Sequence, residues 1–421
     1  MPLNNYFTTS QRNFLYTILL FVALVRLVTL GAYPLADTTE ARYAEIAREM
    51  VATGNWVTPQ LDDSVPFWGK PPLSTWVTAA SFRIFGINEF AARLPAFIMA
   101  LIVALLCYLM GAQQRGREHG QVALIVLSTT GIFFIMAGCV ITDPTLVLGT
   151  TLSMVGFWRA LTETRLIARV WGYLFFVGVA IGLLAKGPVA VVLTLFPVGL
   201  WVVWKNKWSI VWQRLPWISG SVLAIAISLP WYLLAEANTP GFLKYFIVGE
   251  HWKRFTESGW HGDLYGNAHA RPRGTIWLYW LVAAFPWSFL FIAILLRSTL
   301  SRGSSSSISF SDDWVAYLLL WTSTPMIFFT FAGNILPSYV LPGSPAFALL
   351  MTEMWLSTVE LPMGMIPESK ACKRMMPLAG LITPLMFVLG LSFSALGLIS
   401  TKKCQNRLIA RYQDARTETA S

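Results

Sequence analysis

The sequence predicts an all-α polytopic membrane protein with about 11 transmembrane helices, and three observations predict it. Hydrophobic residues make up 55% of the 421-residue chain and charged residues only 12%, where a soluble domain carries about a quarter charged residues. Apolar runs of roughly 18 residues or more, long enough to cross a bilayer core of about 30 Å, recur along the whole length. The formal charge of +10 is split into small basic clusters at the ends of those runs. That is the distribution the positive-inside rule produces, and it speaks against a nucleic-acid face.

The expected spans are 14–33, 90–110, 121–140, 144–161, 168–185, 187–204, 212–234, 275–296, 314–332, 337–356 and 377–400. The first, Phe14 to Ala32, is weakly basic before and lacks a small-residue cleavage site after, so it is read as a retained span rather than a signal peptide. With the N-terminus inside, the inner loops carry Arg115 and Arg117, then Arg159, Arg165 and Arg169, then Lys205, Lys207 and Arg214. Arg297 and Arg302 follow, and finally Lys370, Lys373 and Arg374. The tail disagrees: an eleventh span would put Lys402, Lys403, Arg407, Arg411 and Arg416 outside. The Ser-rich segment 297–313 reads as a flexible inner linker. Cys107, Cys139, Cys372 and Cys404 lack metal or redox spacing and read as small core packers. A single membrane domain over 1–421 is expected, without a C-terminal soluble domain.

Two outer loops are long, 34–89 and 235–274. The first holds a polar insert, Leu35 to Pro72, in an otherwise charge-poor chain. Asp37 to Thr53 fits a helix capped by Asp37, ended by Gly54, with Tyr43, Ala47, Met50 and Val51 on one face. Leu73 to Phe85 is a second amphipathic segment, with Leu73, Trp76, Val77, Ala80 and Ile84 along one side. Both are expected to lie in the membrane interface.

The ionisable residues of these loops are the candidates for chemistry. Asp37 and Glu40 have the spacing of a capping box, yet carboxylates at a span exit can also accept a proton or hold an acceptor. Arg42, Glu45 and Arg48 follow at once. Lys70 stands in Phe67-Trp68-Gly69-Lys70-Pro71-Pro72, presented by a proline-braced turn or snorkelling at the interface. Lys186 lies in a break between two apolar runs, Leu184-Ala185-Lys186-Gly187-Pro188, where an ionisable residue is a functional candidate. Asp143 in Thr142-Asp143-Pro144 can cap the helix that follows. In the second loop, Glu250 and His251 can ligate a divalent metal with a partner from elsewhere, although no pair has the spacing of a compact zinc motif. Lys253 and Arg254 beside them suit phosphate contacts, and His261, Asp263, His269, Arg271 and Arg273 follow. Cations and carboxylates on one side of a membrane suit an anionic lipid phosphate and an acid–base step.

The motif order DTTEARYAEIAREM, Gly54-Asn55-Trp56, K-P-P, T-D-P, L-x-K-G-P, E-H-x-x-R-F and L-P-S-Y-V-L-P resembles the bacterial branch of the dolichyl-phosphate-mannose protein mannosyltransferase superfamily, and within it the lipid A aminoarabinose transferases. The similarity runs from about residue 30 to 350. It implies the GT-C fold and an inverting glycosyltransferase at the outer face of the bacterial inner membrane. The donor would be a polyprenyl-phosphate-linked sugar and the acceptor lipid A, another envelope glycan or a protein. By the resemblance, Asp37 or Glu40 is catalytic, Arg42, Lys70 and Lys186 contact the lipid phosphate, and Asp143 matches the acid that opens the fourth span. The resemblance also implies a divalent metal, held in those relatives by the E-H-x-x-R-F histidine, here His251, and a glutamate just before the loop lysine. Here Gly69 stands at that place, and Asp37 and Glu40 are separated where the relatives have adjacent acids. The alternative from another class is a lipid-linked sugar flippase, which predicts midplane charges and inverted repeats. No repeat is evident and most charges sit at span ends; Arg26, inside the first apolar run, is the exception and has no role here.

Overall fold

The computed structural model describes residues 7–35, 37–62, 65–266, 268–300, 311–359 and 369–395. Residues 301–310 of the Ser-rich segment and the basic tail beyond 395 lie outside them. The described residues are overwhelmingly helical; the one strand pair joins Gln60–Asp62 to Val65–Pro66 in the first outer loop. Five described helices are long and apolar enough to cross a bilayer: Thr9–Thr29, Glu89–Arg115, Arg165–Lys186, Pro188–Lys205 and Trp217–Asn238. A bent pair, Thr275–Ala283 and Trp287–Leu296, makes a sixth if taken as one span.

Four expected spans are not single straight helices. The run 275–296 bends by 106° around Pro286. The run 121–140 ends as a helix at Thr129, and a short helix Gly131–Met136 follows. There the Gly131 N–H leaves the helical ladder to donate to the Phe285 carbonyl at 2.8 Å. The run 337–356 begins as a 3-10 turn, Pro337–Gly343, because two prolines lack the N–H that a regular helix needs. The run 212–234 opens in a short helix, Trp208–Arg214, breaks at Leu215 and Pro216, and resumes as the helix Trp217–Asn238. Helical periodicity alone does not register such breaks.

The helices Asp143–Thr162 and Arg165–Lys186 pack along a seam of small residues, Gly149, Ser153, Gly178 and Gly182, where the Ser153 hydroxyl donates to the Phe175 carbonyl at 2.8 Å. Small residues let apolar helices approach closely where no hydrophobic effect drives them together. Trp158, Trp201 and Tyr317 lock Asp143–Thr162, Pro188–Lys205 and Asp313–Thr330 together, with ring centroids 5.0–6.0 Å apart. The Tyr317 hydroxyl donates to the Met154 carbonyl at 2.7 Å, so its buried polar tip is satisfied.

The first loop is built as expected in part. Asp37 caps the helix Thr38–Thr53, its Oδ1 accepting from the Thr39 N–H at 2.7 Å, and Gly54 ends it at φ 70°. Tyr43, Ala47 and Met50 are buried with Ala44 and Ile46. In the helix Leu73–Phe85 the opposite face is the buried one: Ser74, Thr75, Thr78 and Ser81 are buried, whereas Ile84 is 72% exposed. Its small hydroxyl face packs inward because Thr78 and Ser81 donate to the Ser74 and Ala91 carbonyls at 3.0 and 2.6 Å. The apolar side divides: Leu73 and Trp76 pack half-buried against the core, while Ala80 and Ile84 are exposed.

Arg26 now has an account. It is 2% exposed, donates to the Ile135 carbonyl at 2.7 Å, and lies 5.0 Å from the Phe387 ring. It ties the first helix to the end of Gly131–Met136, adding a charged donor to a carbonyl that the Gly138 N–H also reaches at 3.2 Å.

Candidate functional site

Asp37, Glu40, Arg42, Lys70, Asp143, Lys186, Glu250, His251 and Arg254 all line one cavity of about 1350 Å³. They reach it from separate elements. Asp37, Glu40 and Arg42 come from the first turns of Thr38–Thr53, Lys70 from the proline-braced turn and Asp143 from the start of Asp143–Thr162. Lys186 ends Arg165–Lys186, and Glu250 and His251 stand on a π-helix, Tyr245–Lys253. The remaining wall is largely apolar, including Ile132, Leu146, Val192, Leu193, Phe328, Phe329 and Leu391.

The ionisable groups form a connected chain. Lys70 Nζ donates to Glu250 Oε2 at 2.7 Å and to the Gly69 carbonyl at 2.6 Å. Arg254 Nη1 reaches both oxygens of Glu250, at 3.0 and 3.1 Å, and lies 3.3 Å from Asp263. Burial works to raise the Glu250 carboxyl, but the Lys70 and Arg254 charges beside it outweigh burial and hold it down at about 2. His251 connects this group to the next corner, its Nδ1 2.8 Å from the Phe246 carbonyl and its Nε2 3.0 Å from the Lys186 carbonyl. Burial lowers the His251 pKa, against those two hydrogen bonds. Lys186 Nζ in turn donates to Asp143 at 2.9 Å and sits 4.8 Å from the centroid of the Tyr339 ring.

Asp37 and Glu40 part company. Asp37 is exposed to the cavity and has no ion pair among the described residues. Glu40 is 7% exposed and bound at both oxygens, by Arg93 at 3.0 and 3.3 Å and by the Val140 N–H at 3.0 Å. The capping box is therefore half present: Asp37 caps, while Glu40 turns to Arg93 instead of the cap N–H. Arg93 also donates to the Leu30, Tyr33 and Pro34 carbonyls at 2.7–3.0 Å, fixing the exit of the first helix. Arg42 donates to the Tyr265 carbonyl, and its buried Nε has no hydrogen-bond partner among the described residues.

Other candidates lie elsewhere. Glu45, Arg48 and Glu49 pair with one another away from the cavity wall. Lys253 and His261 are exposed and off the wall, whereas His269 and Asp263 are on it. Tyr265 is a residue sequence patterns did not single out: its hydroxyl donates to the Pro66 carbonyl at 2.8 Å and accepts the Trp68 N–H at 3.0 Å. It clasps the two outer loops, a long-range role with no local signal. Asn334 does the same for the second loop, donating to the Arg254 and Glu257 carbonyls, each at 2.7 Å.

The metal corner does not fit its expected ligand set. Among the described residues no group of three or more His, Cys, Asp or Glu side chains is placed to hold a metal ion. Both Glu250 oxygens are taken by cations, and both His251 nitrogens face backbone carbonyls.

Residues 13–246 match the family model for dolichyl-phosphate-mannose-protein mannosyltransferases. The chain belongs to that family. Among curated relatives it is 32% identical over 343 residues to an undecaprenyl phosphate-alpha-4-amino-4-deoxy-L-arabinose arabinosyl transferase of Proteus mirabilis, covering 79% of this chain and 58% of the relative. It is 29% identical over 340 residues to the transferase of that name from Erwinia tasmaniensis, covering 79% of this chain and 57% of the relative. The chain thus spans less than two thirds of the length of these relatives. Among solved structures, ArnT from Cupriavidus metallidurans bound to undecaprenyl phosphate superposes with a TM-score of 0.72 at 21% identity, over 90% of this chain and 72% of that one. The archaeal oligosaccharyltransferase AglB from Archaeoglobus fulgidus gives 0.54 at 13% identity, over 90% and 55%. This mannosyltransferase-family chain therefore has the GT-C fold that its motifs imply, and it is a polytopic membrane protein.

Proposed function

We propose that the chain is an inverting glycosyltransferase that moves a sugar from a polyprenyl-phosphate-linked donor to an acceptor at the outer face of the bacterial inner membrane. The observation that carries this is the cavity. Four cations, Arg42, Lys70, Lys186 and Arg254, and one unpaired carboxylate, Asp37, share it with an extensive apolar wall. A lipid-linked phosphodiester needs both: apolar surface for the isoprenoid and fixed positive charge for the phosphate. The relatives named for undecaprenyl-phosphate-linked aminoarabinose and the ArnT structure bound to undecaprenyl phosphate support that donor class.

In this mechanism Asp37 accepts the proton of the attacking acceptor hydroxyl, having no cation to hold its oxygens. As the bond from the anomeric carbon to the phosphate oxygen breaks, charge grows on the phosphate. Lys70, Arg254, Lys186 and Arg42 stabilise it from positions already fixed before the reaction. Asp143 positions Lys186, and Glu40, consumed by Arg93, holds the first turn of the helix that Asp37 caps. No metal enters this step, since the Glu250–His251 corner does not fit one.

Mass spectrometry of envelope lipids and glycans, from cells with and without the protein, tests the proposal. Loss of one sugar mass from lipid A, another glycan or a protein supports it and identifies donor and acceptor. An unchanged set of glycans, with lipid-linked sugar accumulating on the inner leaflet, would instead favour a flippase.

A further inference from the structure

We propose that His251 is a positioning residue and not a metal ligand, and that in this chain the cation pair on Glu250 takes the place of a metal beside the donor phosphate. The second half rests on the function proposed above; the first half does not.

Three independent features carry the inference. A metal needs a lone pair on an imidazole nitrogen, yet Nδ1 and Nε2 of His251 both face carbonyl oxygens, of Phe246 at 2.8 Å and Lys186 at 3.0 Å. A neutral imidazole donates from one nitrogen only, and at the other a backbone oxygen stands where a metal would have to approach the lone pair. Next, Glu250 has no free coordination. Lys70 approaches one oxygen at 2.7 Å, and Arg254 approaches both at 3.0 and 3.1 Å. Finally, position 69 has no room for a ligating side chain. A Cβ on Gly69 would lie 2.8 Å from the Phe67 ring, which packs 4.7 Å from the Tyr265 ring. A glutamate there would displace the Phe67–Tyr265 clasp that joins the two outer loops.

The positive role of His251 follows from what it joins. Its ring is wedged between the Lys186 carbonyl and the Phe246 carbonyl of its own π-helix, which bears Glu250 and is followed at once by Arg254. Gly187 makes this possible: its φ is 78°, and a Cβ there would meet Phe246 at 2.6 Å and the His251 ring at 3.2 Å. His251 therefore sets the spacing between Lys186 and the Lys70–Glu250–Arg254 group, so that both sets of cations meet the same phosphate.

The test uses the full chain in nanodiscs, with three readouts on wild type, His251→Gln and His251→Ala. Elemental analysis after dialysis against zinc, manganese and magnesium should find substoichiometric metal in wild type, unchanged in either variant. Glutamine retains a donor for the Lys186 carbonyl, so His251→Gln should keep wild-type thermal stability and rate to within about threefold, while His251→Ala loses roughly tenfold or more in rate. Chelator should change the wild-type rate less than about twofold. Stoichiometric metal that is lost in His251→Gln, or a rate abolished by chelator and restored by metal, would overturn the inference. Glutamine behaving no better than alanine in both stability and rate would overturn the positioning role. If wild type transfers no sugar at all, the proposed function fails, yet metal content and the glutamine-against-alanine stability comparison still decide the role of His251.

Discussion

Lys70 Nζ lies 2.7 Å from Glu250 Oε2, a contact between residues 180 positions apart that closes the first outer loop onto the second. The carboxylate is buried, with a side chain only 2% exposed, and Arg254 shares it. Removing its charge takes the carboxylate from Lys70 and leaves Arg254 with Asp263, 3.3 Å away. Glu250→Gln is therefore expected to destabilise the folded chain by about 3–5 kcal/mol, the range for breaking a buried pair. Thermal unfolding in detergent, compared with wild type, measures it. A melting temperature unchanged within error would show that Lys70 and Arg254 do not depend on Glu250.

The same carboxylate sets an acid limit. Its pKa is held at about 2 in the folded chain, below its ordinary value of 4.5, so the unfolded state binds the proton first. The resulting stability is fully present above about pH 4.5 and is lost as pH falls towards 2, a change of the order of 3 kcal/mol. A stability curve from pH 7 to pH 3 should stay flat down to about 5 and then decline. In Glu250→Gln that part of the decline should vanish.

Asp37→Asn separates chemistry from folding. Asparagine caps a helix about as well as aspartate, so the Thr38–Thr53 helix should be preserved. A general base typically contributes about 10²–10⁴-fold, and a loss of transfer in that range is expected with normal membrane abundance. Lys70→Ala should likewise abolish transfer while leaving insertion intact. Membranes in which both variants kept near-normal activity would mean the site has been assigned to the wrong residues.

Glu40 should behave in the opposite way. Its carboxylate holds buried Arg93, which gathers the Leu30, Tyr33 and Pro34 carbonyls. Glu40→Gln is expected to cost about 3 kcal/mol or more, seen as low abundance and a lowered melting temperature, with residual transfer per folded molecule near normal. Specific activity lost at full abundance would place Glu40 with the chemistry after all.

These contrasts explain which parts of the molecule the sequence made legible. Lys70, Lys186 and Asp143 stand out in the sequence because each is a single charge beside proline or glycine, Lys186 and Asp143 at span ends and Lys70 in the polar insert, a local pattern. What separates Asp37 from Glu40 is not local: Glu40 is bound by Arg93, 53 residues away. Arg93 lies in the first turns of Glu89–Arg115, and an arginine so near an apolar run could have been singled out by the criterion that singled out Arg26. Tyr265 and Asn334 hold loops through backbone carbonyls and N–H groups, which no side-chain pattern announces. The broken runs at 121–140 and 275–296 were illegible for a related reason. Hydropathy averages over the break, whereas the Gly131–Phe285 hydrogen bond joins the two breaks across the fold.

Gly187 supplies the last prediction. Its φ of 78° and ψ of −149° fall in a region open essentially to glycine, and any Cβ would meet the Phe246 ring at 2.6 Å. Backbone strain of about 1–3 kcal/mol is expected from Gly187→Ala, with displacement of Phe246 and His251 added to it. Because the Lys186 carbonyl is the acceptor for His251, this displacement should separate Lys186 from the Lys70–Glu250–Arg254 group. The consequence should fall on donor binding as well as rate: KM for a polyprenyl-phosphate sugar should rise and kcat should fall together. Gly199 is the control. A Cβ there meets nothing within 4 Å, so Gly199→Ala in the neighbouring helix should leave KM and kcat unchanged. Equal effects of the two substitutions would show that the corner beside Lys186 needs no glycine for function.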